Sequence, residues 1–357
     1  MSIIDLNFME SPYKLEKEKK DIFLTENLRY LTEYHKERCT PYDNILEACG
    51  YEENKVSHYK DLPFLPVGLF KRMRLCSCGN SDEIKTITSS GTTGMQKSQI
   101  ILDGETRTLQ QKALAAIVSD FTGKKRLPML VLDSSATIRK QAQYSARAAG
   151  IVGFSLFASH KTYALNDDMS LNLEAVKEFV EKNGKNDFII FGFTYMIWKY
   201  LYLELKERNE FIDMSNGLLI HGGGWKKMQD LNITKSTFRN GLKETGGLVR
   251  VYDYYGMAEQ TGSIFMECEF GHLHCSDYSG MLIRRPLDFT VCEKNEKGII
   301  QVMSLLPLSY PGHNILTEDE GMLLGEDDCP CGRKGVYFEV FGRLKRAEIR
   351  GCSDTYE

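Results

Sequence analysis

Between residues 106 and 255 the apolar positions alternate between a helical period and short continuous runs. Residues 106–121 carry Leu109, Ala113, Ile117 and Phe121 four apart on one helical face. The run 127–133 reads as a buried strand, 139–149 as a helix stopped at Gly150, and 151–157 as a strand. Leu173, Val176, Phe179 and Val180 mark an amphipathic helix ending at Gly184, followed by a strand at 188–191 and an apolar helix at 194–208. A strand at 218–220, a short helix at 237–245 and a strand at 248–254 complete the alternation. Strands alternating with helices predict an α/β body with a mostly parallel sheet wrapped by helices.

The two ends of the chain read differently. Residues 26–35 place Leu28, Leu31 and His35 at helical spacing, with His35 expected on the helix surface. Prolines 63 and 66 make 62–71 an extended, packed connector. Residues 83–88 alternate as a strand. Beyond Tyr255, the runs 263–269, 280–285, 298–305 and 334–340 are strand-like with turns between them, which predicts a smaller antiparallel β subdomain. The expected division is an α/β body over 1–262, the antiparallel subdomain over 263–341, and a hinge and tail over 342–357.

Composition changes this picture little. Hydrophobic content of 42% and charged content of 26% are those of an ordinary globular chain, and a net charge of −4 gives no electrostatic footprint for nucleic acid. No apolar run is long enough to span a bilayer, and residues 1–20 are charged without a signal-peptide core, so no membrane span and a cytoplasmic location are expected. The 10 cysteines then read as thiols and metal ligands rather than as a disulfide framework.

Candidate chemistry begins after the 83–88 strand, where Thr88, Ser89, Ser90, Gly91, Thr92, Thr93, Gly94 and Lys97 are gathered into one loop. Glycines let backbone N–H groups turn toward an anion, and hydroxyls with an ammonium add donors, which is the chemistry of a phosphate cradle. The loop is not a Walker A motif, because Lys-Ser or Lys-Thr does not follow its second glycine. Further candidates follow predicted strands, where open α/β sheets bind ligands. These are His221 with Gly222, Gly223 and Gly224, and then Tyr254, Tyr255, Gly256, Met257, Ala258 and Glu259. Thr317, Asp319 and Arg343 supply a carboxylate and a guanidinium suited to a pair of hydroxyls.

The cysteines offer a second chemistry. Cys329 and Cys331, one residue apart and followed by Gly332, form a tight knuckle that can chelate zinc. Together with Cys268 and His274 they would make a closed Cys₃His site, with His272 and Cys275 as rival ligands and reduced surface thiols as the plain alternative. Cys76 and Cys78 share the spacing without evident partners and read as structural; His160 and His221 read as ordinary histidines.

In this order, the segments resemble the adenylate-forming superfamily of acyl-CoA synthetases and luciferases. The resemblance implies ATP as substrate, with Ser89–Gly94 and Lys97 on its phosphates, Gly222–Gly224 and Tyr254–Ala258 around adenine, Asp319 and Arg343 on ribose, and Glu259 on magnesium. Ala258 departs from the usual threonine and removes a hydroxyl. Nearly the whole chain resembles the acyl-protein synthetases of bacterial bioluminescence fatty-acid reductase systems, and the cysteine-rich part also resembles phenylacetate–CoA ligases. That likeness implies activation of a fatty or aryl carboxylic acid as an acyl-adenylate, acyl transfer to Cys352, and delivery to an acyl reductase partner. Arg346 and Arg350 beside Cys352 favour its thiolate. The family's usual small C-terminal domain, which carries a catalytic lysine, is expected to be absent. Phe193, Tyr195, Met196 and Trp198 are candidate acyl-pocket walls in a helix that is otherwise core. A CoA ligase and a non-catalytic AMP-binding scaffold are the alternatives.

Overall fold

The computed structural model describes residues 6–8, 10–79, 85–88, 98–139, 146–224 and 233–344. Contacts gather the chain into two units, one of Met1–Phe121 with Gly256–Ile349 and one built on Thr122–Tyr255. This partition differs from the linear one read from sequence, because the N-terminal residues group with the antiparallel strands. The physical reason lies in the helix Lys17–Arg38. Its buried stripe of Leu24, Leu28 and Leu31 packs into one core with Tyr278, Leu282, Met303 and Leu305.

In the Thr122–Tyr255 unit the described strands are all parallel, in the order Ala158–Leu165, Leu127–Ser134, Phe188–Phe193, Gly217–Gly222, Arg250–Tyr255. The expected strand at 151–157 is not there. Helix Ala146–Phe154 runs straight through Gly150, a 3₁₀ turn Ser155–Phe157 follows, and the strand begins at Ala158. Gly150 serves packing rather than capping, since a Cβ there would lie 3.3 Å from Phe193 Cζ and 3.5 Å from Phe191 Cζ. The true strand escaped the hydrophobic pattern because Ser159, His160 and Lys161 are exposed on it. The helical stretch 194–208 is observed as expected, with a wider π turn at Trp198–Tyr202.

The other unit carries antiparallel strands in the order Ser279–Arg284, Lys297–Ser304, Asn314–Glu326, Val336–Arg343, Leu273–His274, Phe265–Glu267. The connector after Leu62 is extended where Leu65 and Pro66 pair in parallel with Ile315 and Leu316, but the extended run expected through residue 71 ends early, in the short helix Leu69–Arg72. A separate hairpin pairs Lys85–Thr88 with Gln99–Leu102. The strand Asn314–Glu326 was not read from sequence, because the run Thr317–Glu320 is polar where the strand is only half-buried.

His35 is a correction. It is fully buried, on the same stripe as Leu24, Leu28 and Leu31, with Nδ1 bonded to Ser77 Oγ at 2.8 Å and Nε2 to the Pro307 carbonyl at 3.1 Å. Its ring stacks on His313 at 5.1 Å, and His313 Nε2 meets Thr32 Oγ1 at 3.0 Å. Burial holds both imidazoles neutral, pulling His35 well below its ordinary 6.5, with His313 adding to the effect, and His313 down to about 3. The unfolded chain therefore binds more protons than the folded one below 6.5. The stability linked to these groups is complete above that pH and drains away as pH falls toward about 3. A melting series from neutral to acidic pH should show the midpoint falling below 6.5, with a shallower slope in His313→Gln. Equal slopes would contradict this. Among the described residues no helix is long and apolar enough to cross a membrane.

Candidate active site and metal centre

The acidic centre is built on the turn Ala258–Gln260, which directly follows Gly256 and Met257. Glu259 is 4% exposed, and its backbone is fixed because its carbonyl accepts from Tyr310 Oη at 2.8 Å. Next to it, Gln260 Nε2 donates to the carbonyls of Gly312 at 2.8 Å and Val302 at 3.2 Å. The carboxylate itself is less well served, since Oε1 has no hydrogen-bond partner among the described residues. Burial raises the Glu259 carboxyl above its ordinary range, while Ser98 and the Arg343 charge pull it back and Glu318 pushes it further. A buried, partly unsatisfied carboxylate is what a hard cation would complete, so Glu259 fits a magnesium ligand.

The strands Asn314–Glu326 and Val336–Arg343 set Asp319 directly opposite Arg343. Arg343 Nη1 lies 3.3 Å from Glu318 Oε2, and Nε lies 3.9 Å from Asp319 Oδ1. Thr317 Oγ1 donates to the Ile300 carbonyl at 2.8 Å and accepts the Asp319 amide at 3.1 Å, so the Thr-x-Asp spacing anchors the acid's backbone. Glu318 is the member of this group that sequence reading passed over. Its signal was the alternation of a strand, in which Glu318 and Asp319 straddle one arginine.

In the Thr122–Tyr255 unit, Gly222 lies opposite Tyr254 in register. A Cβ on Gly222 would sit 2.6 Å from Tyr254 Cε1, so the Tyr254 ring occupies the space a side chain would need. That ring also packs on Phe154 at 5.2 Å. Strand alternation puts Tyr255 on the opposite face, which leaves it the better candidate for a flat ligand. Gly223 adopts φ +80°, a conformation that favours glycine, and a Cβ on Gly224 would meet nothing within 4 Å among the described residues. His221 is a satisfied core residue, bonded to Thr194 Oγ1 at 2.9 Å, and His160 is exposed. Phe193, Met196 and Trp198 belong to the buried core of this unit, with Tyr195 packed against it.

The thiols converge. The ligand atoms of Cys268, His274, Cys329 and Cys331 all lie within 4.8 Å of one another. Cys268 Sγ and Cys329 Sγ are 3.9 Å apart, and Cys331 Sγ is 3.4 Å from His274 Nε2. A tetrahedral zinc with bonds of about 2.3 Å to sulfur and about 2.0 Å to nitrogen requires separations of roughly 3.8 Å and 3.5 Å. The donor set and the spacing both fit that ion. Burial drives the Cys329 thiol up to about 12 and holds His274 neutral, down to about 3. The rival Cys275 points elsewhere into the core, where its carbonyl accepts from Lys20 Nζ at 3.1 Å. His272 is no ligand in this arrangement, but its Nδ1 stands 3.3 Å from Cys329 Sγ and its ring stacks on Tyr337. Arg333, paired with Asp120 at 2.9 Å, also interacts with Cys331, which helps raise the guanidinium's pKa. Sequence reading did not find Arg333, because nothing in the spacing marks a residue that serves a sulfur from outside.

Comparison with known proteins decides the family. The pattern of the family described as acyl-protein synthetase, LuxE, is matched over residues 1–357. The chain belongs to this family. It is 25% identical to the long-chain-fatty-acid–luciferin-component ligase of Aliivibrio fischeri, over 98% of this chain and 92% of that protein. The Vibrio harveyi ligase of the same name is 24% identical with the same coverage, 98% and 92%. The fold is similar to that of 2-hydroxyisobutyryl-CoA ligase. Its open conformation, in complex with 2-HIB-AMP and CoA, gives a TM-score of 0.71 at 16% identity, covering 95% of this chain and 78% of that one. Its thioesterification state gives 0.72 at 16% identity, covering 93% and 70%.

This acyl-protein synthetase family member is therefore an ATP-dependent, acyl-adenylate-forming ligase, and the α/β fold expected of that class is present. Of the site residues expected from sequence, Asp319 and Arg343 are brought together, as are Cys268, His274, Cys329 and Cys331. Ser89, Ser90, Gly91, Thr92, Thr93, Gly94, Lys97 and Cys352 lie outside the described residues.

Proposed function

We propose that this synthetase activates a long-chain fatty acid with ATP and transfers the acyl group to Cys352, from which an acyl reductase partner takes it. The observation that carries the reading is the buried Glu259, whose Oε1 has no hydrogen-bond partner among the described residues, in the same unit as the Asp319–Arg343 pair, in a chain whose curated relatives are fatty-acid ligases. In the first step a carboxylate oxygen attacks the α-phosphorus, the bond to the bridging oxygen breaks, and pyrophosphate leaves with the electron pair. Ser90, Thr92, Thr93 and Lys97, with the backbones of Gly91 and Gly94, hold the phosphates. Tyr255 and Gly223 flank adenine, while Asp319 accepts from the ribose hydroxyls and Arg343 steadies it. Magnesium, held by Glu259 when bound, offsets phosphate charge. In the second step the Cys352 thiolate attacks the acyl carbonyl and AMP leaves, an intramolecular attack that a tethered thiol favours. Zinc on Cys268, His274, Cys329 and Cys331 serves structure, holding the hairpin from Phe265 to His274 to the Cys329–Cys331 knuckle.

Intact-protein mass spectrometry tests this reading. After incubation with ATP, magnesium and a long-chain fatty acid, the chain should gain one acyl mass that hydroxylamine removes and Cys352→Ser lacks. Acyl-CoA formation on adding CoA, with no protein adduct, would replace this reading by a CoA ligase.

A further inference from the structure

Cys76 and Cys78 have no part in the function proposed above. Their sulfurs lie 3.4 Å apart, and both residues are half-buried in the stretch 73–79 that precedes the hairpin Lys85–Thr88/Gln99–Leu102. A disulfide needs about 2.05 Å between sulfurs. Rotation of two side chains can supply the remaining ångström or so.

Ser77 between them points the other way, into the core. Its amide donates to the Ser309 carbonyl at 2.8 Å and its Oγ bonds His35 Nδ1 at 2.8 Å. Ser309 in turn donates from Oγ to the Ile101 carbonyl at 2.8 Å and from its amide to Thr106 Oγ1 at 3.0 Å. The residues that follow Ser309 hold the acidic turn, through Tyr310 Oη on the Glu259 carbonyl at 2.8 Å and the Gly312 carbonyl on Gln260 Nε2 at 2.8 Å. A short chain of hydrogen bonds thus runs from the residue between the two thiols to the backbone that carries Glu259. It also touches the strand Gln99–Leu102.

We propose that Cys76 and Cys78 are a thiol-oxidation site, closed to an intramolecular disulfide by a low-molecular-weight disulfide, and that closure shifts Ser77 and loosens the support of Glu259. The Cys76 thiolate attacks one sulfur of the small disulfide and releases one thiol. The Cys78 thiolate then attacks the Cys76 sulfur of the mixed disulfide and releases the second. Two electrons and two protons leave the protein with the two small thiols. Burial and the adjacent sulfur push Cys78 up to about 12, so Cys78 is a thiol at neutral pH and closure quickens as pH rises. The disulfide itself does not depend on the adenylation reading; only its effect through Glu259 does.

Oxidised glutathione on the full-length Cys352→Ser chain, which removes the tail thiol as a competitor, provides the test. Trypsin cleaves after Arg74 and Lys85, and peptide 75–85 contains Cys76 and Cys78 as its cysteines. The expected result is loss of two hydrogens from that peptide, reversed by dithiothreitol, and faster hydrogen exchange across 306–313 in the oxidised chain. Cys78→Ser should instead hold a glutathione adduct on Cys76 and show no change across 306–313. A lasting glutathione adduct on the parent peptide, or an unmodified peptide while other thiols oxidise, overturns the site. Disulfide formation with unaltered exchange across 306–313 overturns the coupling. If the reduced chain never exchanges pyrophosphate into ATP, the adenylation reading fails while the disulfide result still stands by its own readout.

Discussion

Glu259→Gln is expected to lower ATP–pyrophosphate exchange by about a hundredfold or more, while the metal-free protein melts at an equal or higher temperature than its parent at neutral pH. The two effects have one cause. The folded-state Glu259 carboxyl is raised above its ordinary 4.5 by burial, and its Oε1 has no hydrogen-bond partner among the described residues. A group with a raised folded-state value binds protons more tightly in the folded chain. Its stabilising contribution is present below 4.5 and is lost as pH rises through the folded value. Above its folded value the parent carboxyl is an anion in a poorly solvated place, and the isosteric amide removes that penalty. The difference in melting temperature should shrink as pH falls toward 4.5, where the parent carboxyl is neutral as well. Exchange assays and melting curves at several pH values measure both arms. Retained exchange in the variant would exclude Glu259 from magnesium binding, and a lower melting point would mean that Oε1 is satisfied after all.

The second large effect concerns the thiol cluster. The purified chain should carry zinc at one ion per molecule, and Cys329→Ser should lose it. Metal held at about a thousand times its dissociation constant stabilises the folded state by roughly 4 kcal/mol. For a unit of this size each kcal/mol shifts the melting point by about 2–4 °C, so removal should lower it by about 10 °C. Four donors within 4.8 Å, three of them sulfur, leave little room for a harder ion. His272→Ala should keep the ion and release it faster to a chelator, because the donor on Cys329 Sγ is lost. Elemental analysis and chelator-release kinetics distinguish these results. A metal-free chain of unchanged stability would reduce the cluster to buried thiols.

Much of the parallel half was legible because buried strands such as 188–191 are continuous apolar runs and their helices repeat every three or four residues. It was misread where one residue type serves two purposes. Gly150 looked like a helix stop and is instead a contact surface for Phe191 and Phe193. The Ala158–Leu165 strand, exposed along Ser159–Lys161, lacked the apolar run that marks its neighbours. His35 was placed on the surface because histidine is polar, yet its spacing from Leu28 and Leu31 already put it on the buried stripe.

By itself the sequence determined the chemical inventory and its order: the glycine- and hydroxyl-rich loop, the Tyr-Gly-x-Ala-Glu segment, the acid and arginine for a diol, and the Cys-Pro-Cys knuckle. These are local, since a turn or a chelate needs only residues close along the chain. The tertiary structure decided which distant residues complete them. It chose His274 over Cys275 for the thiol cluster, because neighbours on an extended backbone face opposite ways and only the packing says which faces Cys331. It set Asp319 against Arg343 through the register of two strands, and it buried Glu259 beneath Tyr310. Register and burial are sums of long-range contacts, which residue spacing does not carry.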